Sequence, residues 1–283
     1  MNQQKKKIFG AIAGVLILIV GYFTYEYLMY VETDNAQVEA HTVMLAAKVS
    51  GFIVKVNVTD GQKVKKGDVL VEIDNRDYKA VEQSAESELQ SLEARKKDAE
   101  RNYNRVRQLH NENVVSAQQF DSAQAAYNEV KAKYDSAFAK LTQTKLNFEN
   151  TQILAPADGV IAKKSAEVGQ LAAPGTPLIG FVSSESRWVT ANFKETDIKD
   201  IRVGQKVSIH IDALPRDHFI GEVETVSPST GATFTLLPPD NATGNFTKVV
   251  QRIPVKIKFV NLEATDIDRI QAGLSTIVKV HIR

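Results

Sequence analysis

Residues 68–155 contain neither glycine nor proline, although the whole chain of 283 residues has 15 glycines and 8 prolines. These two residue types interrupt regular structure most strongly, so their absence predicts long continuous helix. In the second half of this run, apolar residues recur every seven positions: Phe120, Tyr127, Tyr134, Leu141 and Phe148. The first half has the same spacing at Tyr78, Ala85, Leu92, Ala99 and Val106. Such heptads are typical of helices that pack along one apolar seam.

A short polar break at residues 111–115 separates the two helices. After it, Ser116 begins a Ser-x-x-Gln sequence, a capping box that satisfies the first free amides of a helix. Arms of matching length, about 50 Å each, indicate an antiparallel helical hairpin over residues 76–152. The alternative is one long coiled coil that continues through the break, which would carry the chain about 100 Å away from Pro156.

The segments on either side of the hairpin, residues 49–74 and 157–182, repeat one pattern. In a single register three pairs of glycines coincide: Gly51 with Gly159, Gly61 with Gly169, and Gly67 with Gly175. Short apolar stretches alternate with these glycines, which we predict to be structural turn residues. Neither half could bury two faces alone, so we expect both to pair into one β-sandwich into which the hairpin is inserted.

The N-terminus predicts one membrane-spanning helix. Three lysines in residues 1–7 precede an uncharged run from Ile8 to Tyr25, roughly 27 Å long as a helix and close to the thickness of the hydrocarbon core. The basic flank predicts a cytoplasmic tail over residues 1–7 and an anchor over residues 8–30. A cleaved secretory signal is the alternative, but its apolar core is shorter and ends at a small-x-small site.

Composition excludes several functional classes. Without cysteine there is no disulfide scaffold, Cys-ligated metal or thiol nucleophile. The net charge of +1 offers no general attraction for nucleic acid. The one loose cluster of metal-ligating types, His210, Asp212 and His218, is predicted to be a surface group, so we expect no enzyme activity, metal or cofactor.

The C-terminal part predicts β-structure. Residues 203–211 and 255–259 alternate apolar with polar side chains, as half-buried strands do. Residues 227–247 are rich in proline, glycine, asparagine, serine and threonine, which predicts a long exposed loop.

The split repeat resembles the biotinyl/lipoyl-like domain of periplasmic adaptors, the membrane fusion proteins of the HlyD/EmrA type. Three further segments are similar to the EmrA-like branch: residues 33–38 (TDNAQV), 188–196 (WVTANFKET) and 244–255 (GNFTKVVQRIPV). In related carrier domains a tight turn bears a modifiable lysine. Here the hairpin replaces that turn, so the resemblance implies no covalent cofactor.

The resemblance implies a fold that is mainly β with a long α-helical hairpin and an N-terminal transmembrane helix. Residues 31–75 and 153–182 would form the two halves of a lipoyl-like β-sandwich, split by the antiparallel coiled-coil hairpin. Residues 183–283 would form a C-terminal β-barrel.

The resemblance also implies a role for the hairpin tip. Arg105, Leu109 and Ser116 fit the pattern Arg-x3-Leu-x6-Ser, similar to the motif by which these adaptors meet an outer-membrane channel of the TolC type. The implied roles are a cationic donor, an apolar plug and a small hydroxyl that allows close approach. The alternative is that Arg105 is a solvated charge, Leu109 a seam residue and Ser116 a helix cap.

The function implied by the resemblance is that of a periplasmic adaptor subunit of a tripartite efflux pump. It would be anchored in the bacterial inner membrane by one helix and would link a major-facilitator transporter to the TolC-like channel, for export of drugs or other toxic small molecules. Several copies would form a tube as a homo-oligomer. Three alternatives remain open: an adaptor of an ABC exporter, a membrane-tethered coiled-coil scaffold without an export role, and a carrier-type enzyme subunit.

Overall fold

The computed structural model describes residues 16, 17, 20, 21, 26, 29–215, 217–230, 250–262 and 264–282. Most of the predicted anchor over residues 8–30 and of the predicted loop over residues 227–247 lies outside the described residues. Within the described part of the chain, no helix is both long enough and apolar enough to cross a membrane. The chain divides into two compact units, one from residues 1–41 and 182–283 and the other from residues 42–181.

The strands in chain order are β1 (Tyr30–Ala46), β2 (Gly51–Val56), β3 (Lys63–Val64), β4 (Val69–Ile73), β5 (Gln152–Leu154), β6 (Gly159–Lys164), β7 (Leu171–Ala172), β8 (Pro177–Lys194), β9 (Lys206–Ile211), β10 (Phe219–Val226), β11 (Arg252–Phe259) and β12 (Ser275–His281). The helices are α1 (Arg76–Asn111), α2 (Ala117–Glu149) and α3 (Ala264–Arg269), with a 3-10 helix at Ile198–Asp200.

The first unit is a β-barrel. Its strands pair antiparallel in the order β1-β12-β9-β10-β11-β8, and β8 also pairs with β1. Along β8, Val189, Ala191 and Phe193 are fully buried, whereas the residues between them are partly exposed. The predicted barrel is therefore confirmed. The strand predicted over residues 203–211 begins only at Lys206, because Gly204 forms a turn with φ of +90°.

Close packing inside the barrel leaves no room at Gly221 of β10. A Cβ atom there would lie 2.7 Å from the Ile257 Cγ2 atom, 2.8 Å from the Ile209 Cδ1 atom and 2.9 Å from the carbonyl oxygen of Lys258. Real Cβ atoms do not approach other atoms this closely, so the barrel core requires glycine at this position.

The second unit contains a sandwich of two small sheets. One sheet has the order β5-β4-β2-β7, and in the other the first residues of β8 pair with β6, which pairs with β3. Ile53, Leu70, Ile161 and Leu178 are among the fully buried side chains between the sheets. β2 pairs with β7 and β3 with β6, so both pairings join a strand from each half of the repeat. The predicted sandwich-like domain is therefore confirmed.

Matching hydrogen bonds hold the two halves of the repeat together. The Gly61 amide donates to the Ile161 carbonyl at 2.8 Å, and the equivalent Gly169 amide donates to the Ile53 carbonyl at 2.8 Å. The bonds from Gly67 to Ala155 and from Gly175 to Ala47 are likewise equivalent, at 2.9 Å each. The sandwich therefore has an internal approximate two-fold symmetry that follows the repeat.

Four of the six repeat glycines lie in turns and have left-handed backbone angles, with φ from +77° to +89°: Gly61, Gly67, Gly169 and Gly175. Gly51 and Gly159 are instead the first residues of β2 and β6. At Gly51 a Cβ atom would lie 2.6 Å from the Ile73 Cγ2 atom, so close packing accounts for this glycine rather than a turn.

α1 and α2 lie side by side in opposite directions. The ring of His110 lies 5.0 Å from that of Phe120, the ring of Tyr103 lies 5.6 Å from that of Tyr127, and the Lys96 Nζ atom lies 4.1 Å from the centre of the Tyr134 ring. From one contact to the next, the residue of α1 lies earlier in the chain and its partner on α2 lies later. The two helices are therefore antiparallel. At the other end, β4 pairs with β5, so the helices start and finish at neighbouring strands.

An ion pair marks the first turn of α1. The Asp74 carboxylate accepts a 2.6 Å hydrogen bond from the Arg76 guanidinium and a 3.2 Å bond from the Arg76 backbone amide. These bonds lower the pKa of Asp74 to about 2, because they stabilise its charged form.

Candidate docking site

The turn between α1 and α2 has a well-defined backbone. Asn113 is left-handed, with φ of +56°; its amide donates to the His110 carbonyl, and the Val114 amide donates to the Leu109 carbonyl, each at 2.9 Å. This pair of bonds is a Schellman motif, in which asparagine replaces the usual glycine. It satisfies carbonyls at the end of α1 and reverses the chain within a few residues.

Side chains hold the turn from both sides. The His110 ring stacks on Phe120 with an interplanar angle of 15°, and the His110 Nδ1 atom lies 3.4 Å from the Val115 carbonyl oxygen. On α2 the Gln119 amide donates to the Ser116 hydroxyl, while the Ser116 amide donates to the Gln119 side chain. The predicted capping box is therefore present, and hydrogen bonds hold the turn at both helix ends.

All three residues of the predicted tip motif lie at this end of the helices. Arg105 is exposed on α1, two turns before the helix ends, and it has no ion-pair partner among the described residues. Leu109 is partly buried, and Ser116 is exposed as the residue that caps α2. Arg105 and Ser116 are thus accessible, whereas Leu109 offers only part of its side chain.

Val114 is a further residue of the tip that the sequence motif does not include. It is 65% exposed in the turn itself, between the two predicted polar contacts, and its backbone is fixed by the Schellman bond. A large aliphatic side chain at the extreme end of a polar hairpin is the strongest apolar feature of the tip. The signal in the sequence was a Val-Val pair in an otherwise polar break, which the heptad pattern does not explain.

The loose cluster of histidine and aspartate side chains lies on the barrel and is not part of any metal-binding group in the described residues. The described part of the chain holds no group of three or more histidine, aspartate or glutamate side chains that could bind a metal ion. The rings of His210 and His218 lie 6.1 Å apart on the barrel. A shallow open cleft of about 460 Å³ lies beside His218, and exposed Ile220 lines it.

Two family models match most of the chain. The model described as RND MFP, barrel-sandwich hybrid domain, matches residues 41–182, and the CusB-like β-barrel domain matches residues 186–235. Both descriptions agree with the two units of the structure. The class of protein is therefore that of the membrane fusion proteins.

Two relatives of known sequence identify the branch of the membrane fusion protein family to which the chain is similar. Colistin resistance protein EmrA of Acinetobacter baumannii is 32% identical over 99% of this chain and 96% of the relative. Multidrug export protein EmrA of Haemophilus influenzae is 32% identical over 99% of this chain and 85% of the relative. The chain therefore belongs to the EmrA-like periplasmic adaptors of the membrane fusion protein family.

Solved structures share the fold. A MacA–MexA chimeric protein that contains the Pseudomonas aeruginosa MexA α-hairpin domain has a TM-score of 0.63 and 27% identity, covering 90% of this chain and 81% of the chimera. The periplasmic adaptor protein EmrA has a TM-score of 0.50 and 18% identity, covering 90% of this chain and 99% of that structure.

Proposed function

We propose that this chain is the adaptor subunit of a tripartite multidrug efflux pump, and that its hairpin tip docks on a TolC-like outer-membrane channel. The observation that carries the proposal is the hydrogen-bonded tip, which exposes Arg105, Val114 and Ser116 at the end of two helices about 50 Å long. The relatives named for multidrug export and colistin resistance support the efflux role.

The chemistry of the tip suits a protein partner that offers backbone carbonyls. Arg105 would donate charge-assisted hydrogen bonds, which are stronger than neutral ones. Ser116 already uses its hydroxyl oxygen as an acceptor within α2, so its remaining capacity is to donate a proton and to permit close approach. Val114 would fill an apolar depression between these contacts.

The remaining parts of the chain fit the same role. Residues 1–7 would lie in the cytoplasm and residues 8–30 would anchor the chain in the inner membrane. The lipoyl-like domain (residues 31–75 and 153–182), the hairpin (residues 76–152) and the barrel (residues 183–283) would lie in the periplasm. Several copies would surround an axis, and the energy for export would come from an inner-membrane transporter of the major-facilitator type.

Reversing one charge tests the docking role. Arg105→Asp should lower recovery of the channel with the cross-linked adaptor by about tenfold or more, since charge-assisted contacts contribute on the order of 1.5–3 kcal/mol. Drug export should fall with it, while circular dichroism stays unchanged. Arg101→Asp is the matched control, because Arg101 lies one turn further from the tip. Normal channel recovery with Arg105→Asp would refute the docking role.

The transporter class needs its own measurement. After the full chain is cross-linked in membranes, mass spectrometry of the inner-membrane partners should find a major-facilitator transporter. Consistent recovery of an ABC transporter alone would refute that assignment and favour an ABC export system. Recovery of neither a transporter nor a channel would contradict the adaptor role itself.

A further inference from the structure

A polar cleft of about 260 Å³ opens on the barrel where β1 meets β8. Its charged lining comes from β1, β8, β11 and the turn after β8: Glu32, Asp34, Lys194, Asp197 and Arg252. The cleft therefore combines two cations with three carboxylates, and it belongs to the barrel rather than to the hairpin tip. We call it the β1–β8 cleft.

The two cations of the cleft form a like-charged pair. Lys194 of β8 lies directly opposite Arg252 of β11, and both residues are exposed. Neither side chain has an ion-pair or hydrogen-bond partner among the residues that the structure describes. Like charges directly opposite each other destabilise a sheet. An anion bound between the two cations would remove this repulsion.

The rest of β11 shows that this pair is an exception. Lys256 pairs with Glu224 at 3.0 Å and Lys258 pairs with Glu222 at 3.2 Å. A carboxylate of β10 thus neutralises each of the other two cations of β11. Arg252 faces a second cation instead, which favours a negative partner from outside the part of the chain that the structure describes.

Another part of the cleft is acidic. Asp34 is exposed on β1, and its carboxylate has no partner within the described ranges of the chain. Asp197 is half-buried and accepts a 2.7 Å hydrogen bond from the Thr196 hydroxyl at one of its carboxylate oxygens. The cleft therefore offers acceptors for a cation as well as positive charge for an anion.

Hydrogen bonds between β1 and β8 fix the acidic part of the cleft relative to the basic part. The Thr33 hydroxyl donates to the Asn192 carbonyl at 3.0 Å, and the Asn192 side-chain amide donates to the Asn35 side chain at 3.3 Å. Thr33 and Asn35 flank Asp34, whereas Asn192 lies two residues before Lys194. The fold itself thus sets the spacing of these charges, which lowers the cost of binding a ligand.

An ion pair connects the cleft to the end of the proposed anchor. The Lys279 Nζ atom of β12 lies 3.2 Å from the Glu32 carboxylate and 3.2 Å from that of Glu26. Glu26 is the first charged residue after the uncharged run of the anchor. A side chain that lines the cleft therefore shares one lysine with the residue at which the chain would leave the hydrocarbon core. Lipid headgroups occupy this level of a membrane.

Lipid headgroups differ in the charges that they present. Arginine and lysine both bind phosphate oxygens through charge-assisted hydrogen bonds. A primary ammonium donates up to three hydrogen bonds to carboxylates, whereas a choline group has no N–H donor. A glycerol headgroup would bring no positive charge to Asp34. The headgroup that satisfies both parts of the cleft is phosphoethanolamine.

We propose that the β1–β8 cleft binds the phosphoethanolamine headgroup of a membrane lipid, with Lys194 and Arg252 on the phosphate and Asp34 on the ammonium. This inference rests on the membrane anchor included in the proposed function. The bound lipid would hold the barrel at the membrane surface in addition to the anchor. A soluble phosphoethanolamine ester carries the same chemistry, and the experiment separates the two sources.

Lipid retention tests the two cations. The full chain is incorporated into phosphatidylcholine nanodiscs that contain equal minor fractions of phosphatidylethanolamine and phosphatidylglycerol. It is then extracted with mild detergent, and mass spectrometry measures the lipids that remain bound. The wild type should retain phosphatidylethanolamine in preference to the other two. Lys194→Gln combined with Arg252→Gln should reduce this retention by about tenfold or more, since each factor of ten corresponds to only 1.4 kcal/mol.

A matched pair of substitutions controls for the loss of charge. Lys199→Gln combined with Lys206→Gln removes two exposed cations of the same barrel that do not line the cleft, so retention should stay at the wild-type level. Circular dichroism should show that both double variants remain folded.

A carboxylate substitution tests the ammonium contact. Asp34→Asn keeps both cations, so phosphatidylglycerol should be retained as well as phosphatidylethanolamine and the preference should be lost. Asp200→Asn is the control, because Asp200 is an exposed carboxylate outside the cleft. A preference that survives in Asp34→Asn would overturn the assigned orientation of the headgroup.

Glycerophosphoethanolamine separates the lipid from a soluble source. Phosphatidylethanolamine in the nanodisc should raise the melting temperature of the chain, since a ligand that binds only the folded state stabilises it. The soluble ester should produce the same rise only at a much higher concentration, because a membrane holds its lipids at a high local concentration. Stabilisation by the soluble ester without retention of phosphatidylethanolamine would overturn the lipid as the source.

Two further outcomes separate this site from the proposed function. Unchanged retention in the Lys194 and Arg252 double variant, or equal retention of all three lipids by the wild type, would overturn the headgroup site alone. A full chain that alkaline carbonate extracts from membranes would instead contradict the anchor, and with it the proposed function.

Discussion

The phenol ring of Tyr103 stacks on that of Tyr127, with centroids 5.6 Å apart and planes within 6° of parallel. Tyr103 belongs to α1 and Tyr127 to α2, and the Phe120 ring lies 5.8 Å from Tyr103 on the side towards the tip. Three aromatic rings therefore set the register of the two helices close to the turn. A shift of either helix by one residue would break all of these contacts.

Removing the stacked ring should loosen both helices. Tyr103→Ala should destabilise the hairpin by about 2 kcal/mol, since an aromatic pair contributes up to about 1.5 kcal/mol beyond the area it buries. Amide hydrogen exchange should accelerate around Tyr127 as well as around residue 103. Phe138→Ala is the control, because Phe138 is largely exposed on α2 and its removal should cost less than about 0.5 kcal/mol. Equal exchange in both variants would contradict the register role.

The ion pair between Asp74 and Arg76 should make the stability of the first turn of α1 depend on pH. The Arg76 bonds lower the Asp74 pKa from 3.8 to about 2, so the stabilisation is complete above about pH 4 and is lost as the pH falls through 2. Carboxyl chemical shifts in a pH titration measure this pKa directly. Arg76→Gln should return the pKa towards 3.8, and an unchanged midpoint would show that the arginine is not the cause.

Ser116 combines a cap with a proposed contact, and two substitutions separate these roles. Ser116→Ala removes the cap and should destabilise α2 by about 1 kcal/mol. Ser116→Asn keeps a capping side chain, so the stability of α2 should stay close to that of the wild type, but its larger amide blocks close approach. Channel recovery should therefore fall in the asparagine variant. If recovery is normal while α2 remains stable, Ser116 is only a helix cap.

Gly221 should be intolerant of even one methyl group. Gly221→Ala should destabilise the barrel by about 2 kcal/mol, because the added Cβ would press on Ile209 and Ile257 across the core. Denaturant unfolding followed through Trp188 reports on this unit. Gly273→Asn is the control, since Gly273 lies in the same unit, the space around it is open, and asparagine tolerates its left-handed backbone. A larger loss in the control would refute the packing argument.

Local signals in the sequence predicted much of the second unit. The missing glycines and prolines predicted the helical stretch, the heptads included Tyr127 as a residue of the apolar seam, and the Ser-x-x-Gln pattern identified the cap at Ser116. The repeat predicted a sandwich shared by both halves. These features succeed because each depends on residues close together in the chain or on an internal copy of the same pattern.

Non-local features could not be predicted from the sequence. The closure of the barrel joins β1 to β8, and the Trp188 Nε1 atom donates to Glu39 at 2.9 Å across that long separation. The need for glycine at 221 and the partial burial of Leu109 near the exposed Val114 depend on which side chains become neighbours in space. Alternation of apolar and polar residues predicts that a strand has one buried face. It does not identify the neighbouring strand with which that strand will form hydrogen bonds.

The pairing of β4 with β5 has a consequence for how such chains diversify. Both arms leave and rejoin the sandwich at adjacent hydrogen-bonded strands, with Glu72 opposite Gln152. The two helices can therefore be lengthened or shortened as a pair. Equal numbers of heptads can be added to or removed from α1 and α2 without altering the contacts within the sandwich. The length of the two helices can thus change, by evolution or by design, independently of the sandwich from which they extend.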